Sequence, residues 1–194
     1  GAGNGPFGLG WSLGVPHIQR KTDRGIPRYR DNDDIFVISD AEDLIPCMVW
    51  NGSAWAESTL LDATEGGDTW KRRRYRPRVE SAFSRIERWT HATTGVVHWR
   101  SWSRENICRI YGLDSSTCLA DPDDTTKIFA WYLEEERDER GNRIRYDYQT
   151  EDPDDRSDIA PADPGAAAEA ARNLPGHRCT NLHLKQILYG NVVP

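Results

Sequence analysis

Residues 127–149 read KIFAWYLEEERDERGNRIRYDYQ, and two folds compete for them. Leu133 and Glu134–Glu136 are good helix formers, so residues 131–139 could wind into a helix. The return segment argues otherwise. Ile144, Tyr146 and Tyr148 alternate with Arg145 and Asp147, the period-two pattern of a half-buried strand. Asp138-Glu139-Arg140-Gly141-Asn142 lies between the two runs and has turn composition. The stretch is therefore expected to run out over 127–137 and come back over 143–149 as an antiparallel hairpin.

The same plan recurs outward from it. Thr94-Gly95 separates Phe83–Trp89 from VVHWRSW, residues 96–102, a second expected hairpin. ENICRIYG ends a short strand at Gly112. Asn51-Gly52 lies between MVW and SAW, a strong hairpin signal, and closes an expected strand over Leu44–Trp50. Ile35–Ile38 reads as a buried strand by its apolar continuity, Val15–Arg20 as a short strand, and LHLKQILYG, from Leu182, as a last one. In TWKRRRYRPR, residues 69–78, strand geometry puts Trp70, Arg72, Arg74 and Arg76 on one face. Lys71, Arg73 and Tyr75 take the other. Residues 22–25, 62–68 and 113–126 read as turns or polar loops. One short helix is expected near 164–173, where Asp163 caps, Pro164 starts the helix and AAAEAARN follows. It lies inside a flexible acidic, Pro- and Ala-rich insertion over 151–178.

The first fourteen residues hold six glycines and Pro6. They read as tight turns that anchor Phe7, Leu9 and Trp11. They are not a phosphate loop, which needs a strand before the glycines and a helix after them.

Of 194 residues, 37% are hydrophobic and 29% charged, yet eight are Trp and seven Tyr. Large amphipathic aromatics suit thin β-layers better than a thick helical core. A net charge of −6 argues against general affinity for nucleic acid or anionic membranes. No apolar run approaches the roughly 18 residues that span a bilayer. No signal peptide is visible and no initiating Met stands at Gly1, so we expect a piece of a longer polypeptide. The four cysteines, Cys47, Cys108, Cys118 and Cys179, lack Cys-x-x-Cys spacing. A Cys108–Cys118 bridge is conceivable; buried free thiols are the plainer reading.

Several residue groups could carry chemistry, and each has a structural alternative. Glu134 and Glu136 form the Glu-x-Glu pattern that ADP-ribosyltransferases place on a strand, but no Ser-Thr-Ser segment accompanies them. A solvated charged strand end is the simpler reading. His177, Cys179 and His183 could ligate a metal, yet zinc takes four ligands and no partner pair stands out. Asp31-Asp33-Asp34, Asp121-Asp123-Asp124 and Asp152-Asp154-Asp155 lack the Gly and Glu offsets of a calcium loop. Lys71–Arg78 could meet an acidic partner, or pair with carboxylates on neighbouring strands. Trp11, Trp50, Trp55, Trp70, Trp89, Trp99, Trp102 and Trp131 could include a carbohydrate platform, although most read as core anchors.

GNGPFGLGWSLG at 3–14 and IQRKTDRGIPRY at 18–29 closely resemble the SpvB-type N-terminal region of Tc toxin B components and Salmonella virulence protein B. AEDLIP, RRRYRPRVESAFSRIERW, VVHWRSWSRENICRIYG, KIFAWYLEEERDERGNRIRYDYQTED and LHLKQILYGN are similar to later phrases of that region, in the same order. Asp138–Tyr148 is also similar to the Rhs/YD-repeat theme, whose strands build hollow β-shells. The 151–178 segment and the cysteines depart from these phrases.

The resemblance implies an all-β segment of a secreted toxin complex, mostly antiparallel hairpins, occupying 1–194 and forming part of a β-cocoon around a cytotoxic C-terminal cargo. Its implied partners are the rest of its parent chain, a C-component shell with cargo and, indirectly, a pore-forming A component. It implies no catalytic residue, no cofactor, no metal, no nucleic acid and no membrane insertion by this segment. In the resembling virulence protein the ADP-ribosyltransferase is a separate C-terminal domain. Amphipathic strands with charge on one side and aromatics on the other fit a wall that faces solvent. The alternatives are a secreted carbohydrate- or receptor-binding β module and, further off, an ADP-ribosyltransferase using Glu134 or Glu136.

Overall fold

The hairpin over 127–149 is present: Ile128–Arg137 and Arg143–Thr150 pair antiparallel from Glu135↔Arg145 to Arg137↔Arg143. Asp138 ends the outgoing strand. Its Oδ1 accepts from the Arg140 and Asn142 amides, both at 2.9 Å, and Gly141 takes φ +86°. An Asx-type turn competes locally with helix, and here it wins. The computed structural model describes residues 4–5, 8–9, 13–39, 42–79, 85–150 and 181–190.

In chain order the strands are β1 (Asn4–Gly5), β2 (Gly8–Leu9), β3 (His17–Arg20), β4 (Phe36–Ile38), β5 (Glu42–Pro46), β6 (Met48–Trp50), β7 (Trp55–Glu57), β8 (Thr59–Glu65), β9 (Asp68–Pro77), β10 (Arg85–His91), β11 (Val97–Trp102), β12 (Cys108–Tyr111), β13 (Cys118–Ala120), β14 (Ile128–Arg137), β15 (Arg143–Thr150) and β16 (Leu182–Tyr189). A 3-10 turn, Ser115–Thr117, lies between β12 and β13. Every ladder among the described residues is antiparallel.

The ring β3-β4-β5-β9-β10-β11-β12-β14 closes on itself, because β14 pairs with β3 on one edge and β12 on the other. The inner residues come from all eight of its strands: Ile18, Phe36, Leu44, Tyr75, Ile86, Val97 with Trp99, Tyr111, and Trp131 with Leu133. Eight strands leave an interior about wide enough for side chains to fill. Here aromatics fill it. Phe36 meets Trp99, Trp131 and Tyr75 edge-on at 4.9–6.0 Å. Trp131 Nε1 crosses the interior to donate to the Val97 carbonyl at 3.1 Å. This is how a chain of low hydrophobic content secures a core: a few large residues each bury much area.

The β15–β16 and β6–β7 hairpins leave the barrel, and β8 pairs with β9 outside the ring. β15 pairs with the last residues of β14 and then continues with β16 as an arm. A register shift places Asp147 opposite Gln186 and Tyr148 opposite Leu184. It puts Leu182, Leu184, Ile187 and Tyr189 on one face despite their uneven spacing. The other hairpin is β6–β7. The expected single strand over Leu44–Trp50 is broken at Cys47, whose amide donates to the Arg74 carbonyl while its carbonyl accepts from Ser58. The chain thus leaves the barrel wall at Cys47 and comes back beside it at Ser58, eleven residues later.

Two expected loops contain strands. Residues 62–65 continue β8, and Gly66-Gly67, at φ +64° and +90°, form the turn into β9. Within 113–126, β13 pairs with β14 beyond the end of β12. The polar side chains that suggested loops are tolerated because these strands are short or lie at an edge. The expected helix at 164–173, the 151–178 insertion, Phe7 and Trp11 lie outside the described residues.

Candidate functional site

The Glu134–Glu136 run alternates across β14 as strand geometry requires, and each carboxylate is held by the scaffold. Glu134 Oε2 accepts from the Asp114 amide at 2.8 Å and from Thr117 Oγ1 at 3.1 Å, fixing the 3-10 turn. Glu135 pairs with Arg143. Glu136 accepts from Arg109 Nε and from the Tyr146 hydroxyl, both at 2.7 Å. Beside Glu134, burial first, and then the Glu134 and Asp114 charges, push the Cys118 thiol up to about 12. It stays protonated and unreactive. Cys47, Cys108 and Cys118 are free thiols.

The arginine run of β9 is divided between environments. Trp70 is buried on one face and Tyr75 on the other, because the strand passes from the β8 hairpin into the barrel wall. Arg73 pairs with Glu57, Arg72 lies 3.8 Å from Glu87, and Arg78 lies 3.7 Å from Asp43. Carboxylates on neighbouring strands thus account for much of the run. Among the described residues no group of His, Cys, Asp and Glu is arranged to hold a metal. His183 lies on β16, exposed, while His177, Cys179 and Asp152-Asp154-Asp155 lie outside the described residues.

The barrel's outer wall carries a second cluster. Trp89 pairs with His98, and Glu87 with Arg100, across β10–β11. Glu87 is buried and accepts from Trp89 Nε1 at 3.2 Å. The Arg100 guanidinium stacks on Trp89 at 3.9 Å and reaches Glu65 at 2.6 Å. His98 has no exposed surface. Its Nε2 accepts from Arg100 Nε at 3.0 Å. Burial first, then the Arg100 charge, lower it to about 3. Above its ordinary value of 6.5 both folded and unfolded states are neutral there. Below it the unfolded chain takes up a proton that the folded chain refuses, so stability falls as pH drops toward about 3, by roughly 1.4 kcal/mol per pH unit. Urea unfolding at a series of acid pH values should show a steeper decline for the native chain than for His98→Gln. Equal slopes would exclude His98 as the source.

Asp31 and Asp34 do not form a calcium loop. Asp34 Oδ2 accepts from Arg20 at 2.7 Å, and Asp31 pairs with Arg88 at 2.6 Å and Arg20 at 3.4 Å. Arg20 also donates through Nε to the Ile128 carbonyl at 2.9 Å and lies over Phe36 and Trp131 at 5.0 and 5.6 Å. These buried pairs hold the 21–35 loop against one end of the barrel. Neither Arg20 nor Arg88 carries a sequence signal for burial, since charged residues are rarely inside unless paired.

An open cleft of about 460 Å³ lies beside this network, lined by Asp31–Ile35, Asp43–Pro46, Glu57, Arg73, Tyr75 and Arg78. The buried Tyr75 hydroxyl has no hydrogen-bond partner. The β6–β7 hairpin borders the cleft through Glu57. At its tip Trp50 and Trp55 pair across the strands, with ring centroids 5.8 Å apart. They are 52% and 66% exposed, whereas Trp70, Trp89, Trp99 and Trp131 are buried. Four of the seven described tryptophans are therefore buried in the packing, and this pair is not.

Comparison with known proteins places this architecture. The "Mono(ADP-ribosyl)transferase SpvB" of Salmonella typhimurium is 28% identical over 205 aligned residues, which cover all of this chain and 31% of that protein. The chain thus spans about a third of the curated relatives it matches. The solved N-terminal domain of effector protein SpvB from Salmonella typhimurium strain LT2 superposes with TM-score 0.77 at 29% identity, over 100% of this chain and 57% of that one. The crystal structure of TcdB2-TccC3 matches with TM-score 0.70 at 33% identity, over 97% of this chain and 8% of that one. The family model described as Salmonella virulence plasmid 65kDa B protein matches residues 1–194, so the chain belongs to the SpvB family.

Proposed function

We propose that this segment is a non-catalytic wall element of a secreted toxin-complex B component, contributing strands to a shell around a cytotoxic cargo. The observation that carries the reading is the fold match within a much larger toxin assembly: 97% of this chain corresponds to 8% of a TcdB2-TccC3 chain. The structure supports it physically. The barrel interior is packed with aromatics, and Glu134 and Glu136 are engaged by the Thr117 hydroxyl, Arg109 and Tyr146. The β15–β16 arm pairs through β15, and among the described residues the outer edge of β16 is open. Such an edge is suited to strand addition. The rest of the parent chain and a C-component with its cargo are the partners this role requires, with the A component engaged indirectly.

The test is cargo protection. In the full-length parent assembled with its C-component, Trp131→Ala should cost about 3–5 kcal/mol of domain stability and expose the cargo to protease. Retained protection with a demonstrably destabilised domain would refute a wall role. The enzyme alternative is tested separately. Glu134→Gln and Glu136→Gln in the parent should leave NAD turnover unchanged, and a loss of turnover in either variant would favour catalysis by this segment.

A further inference from the structure

The wall role proposed above draws on the barrel and the β16 edge and makes no use of the cleft at the barrel end or the exposed tryptophan pair. β7 joins them. Trp55 and Glu57 are two residues apart on one strand and share a face, with Trp50 and Met48 opposite them on the same side. The aromatic pair therefore stands on the side of the hairpin from which Glu57 reaches the cleft wall, about two residues, or ~7 Å, away.

The charge balance of the cleft selects among ligands. Its five carboxylates, Asp31, Asp33, Asp34, Asp43 and Glu57, each already face a cation: Arg88, Arg28, Arg20, Lys21 and Arg73 respectively. An ionic ligand would have to compete with these pairs, and the cost is highest at Arg20–Asp34, whose side chains are 5% and 7% exposed, since a displaced partner there leaves a buried charge. A neutral ligand rich in hydroxyls would not. Paired carboxylates keep free lone pairs and paired guanidiniums keep free N–H groups, so both can bond hydroxyls. Asn32 adds an amide at the exposed rim. Trp55 offers an exposed face on which the apolar side of a sugar ring can stack, and the tilt of Trp50, 64° from it, makes a corner instead of a flat platform. The cleft volume lies within the ~300–1,000 Å³ range of small-ligand sites.

We propose that the cleft and the Trp50–Trp55 hairpin together form a binding site for a neutral oligosaccharide, independent of the wall role. In the full-length parent protein, triacetylchitotriose, maltotriose and lactose, with an immobilised neutral-glycan array alongside, serve as probes up to about 10 mM. At least one neutral glycan should bind saturably and shift tryptophan emission. Trp55→Ala should weaken that binding at least about tenfold, and Trp55→Tyr should restore part of it. Glu57→Gln should weaken it as well. Trp102→Ala, on the outer barrel wall, should leave it unchanged, and unaltered thermal unfolding of the hairpin variants keeps the comparison clean. Absence of saturable binding by every neutral glycan, full binding by Trp55→Ala, or capture of an oligo-arginine peptide in place of sugars would each overturn the proposal. None of these results bears on cargo protection.

Discussion

Gly112→Ala should destabilise the folded chain by about 3 kcal/mol or more, while Gly141→Ala should cost only about 1 kcal/mol. Both glycines hold left-handed backbone, at φ +66° and +86°, so both substitutions carry the same kind of strain. They differ in surroundings. A β-carbon on Gly112 would overlap Trp131 Cδ1 and lie 2.9 Å from Cys118 Sγ and 3.0 Å from Trp131 Cβ. Trp131 has almost no freedom to yield: it is 1% exposed, packed on Phe36 and Trp99, and bonded to the Val97 carbonyl. Gly112 itself donates to the Tyr132 carbonyl at 3.1 Å, which ties the start of the 113–117 excursion to β14. A β-carbon on Gly141 meets nothing within 4 Å. The difference between the two variants, read by urea unfolding, therefore isolates crowding from strain. Equal costs would mean that the β12–β13 excursion shifts freely and that Trp131 is not locked.

The hairpins were legible in the sequence because their signals are local. Asp138–Asn142 and the alternation at 144–148 specify a turn and a face within a dozen residues. Asn51-Gly52 likewise specifies β6–β7, although the observed loop is longer: Asn51 Oδ1 accepts from the Ser53 and Ala54 amides, and Trp50 pairs with Trp55. What closes the barrel was not legible. The β12–β14 ladder joins Cys108 to Arg137 and bends between Ile110 and Tyr111, and no periodicity within either strand specifies that partner. The uneven spacing of Leu182, Leu184, Ile187 and Tyr189 hides an amphipathic face until the register shift opposite β15 is known. The cleft escaped for the same reason. Asn32, Asp43, Glu57 and Arg73 are far apart in the chain, and the last three converge because β5 and β8, which flank the β6–β7 hairpin, both pair with β9. The separate roles of the tryptophans also depend on tertiary context: Trp50 and Trp131 sit in equally apolar runs, yet one is exposed and the other plugs the barrel.

The buried arginine at the barrel end is the other position where a single change should matter most. Arg20→Met should cost about 3–5 kcal/mol, although it keeps a long apolar stem against Phe36. The side chains of Arg20 and Asp34 are only 5% and 7% exposed. Removing the guanidinium leaves Asp34 facing the interior with only the Arg28 and Arg30 amides, at 2.9 and 3.2 Å, and strips a donor from the Ile128 carbonyl. Adding Asp34→Asn to Arg20→Met should recover part of the loss, since the double variant no longer buries an unpaired charge. A second readout follows from what the pair secures. Arg24, Arg28 and Arg30 lie on the exposed loop that Asp31 and Asp34 tie to the barrel. Loosening it should speed trypsin cleavage at those three positions before the barrel itself unfolds. If Arg20→Met unfolds at the native urea midpoint and is cut no faster in this loop, the ion network is incidental and the barrel end is held by the aromatic packing of Phe36 and Trp131 alone.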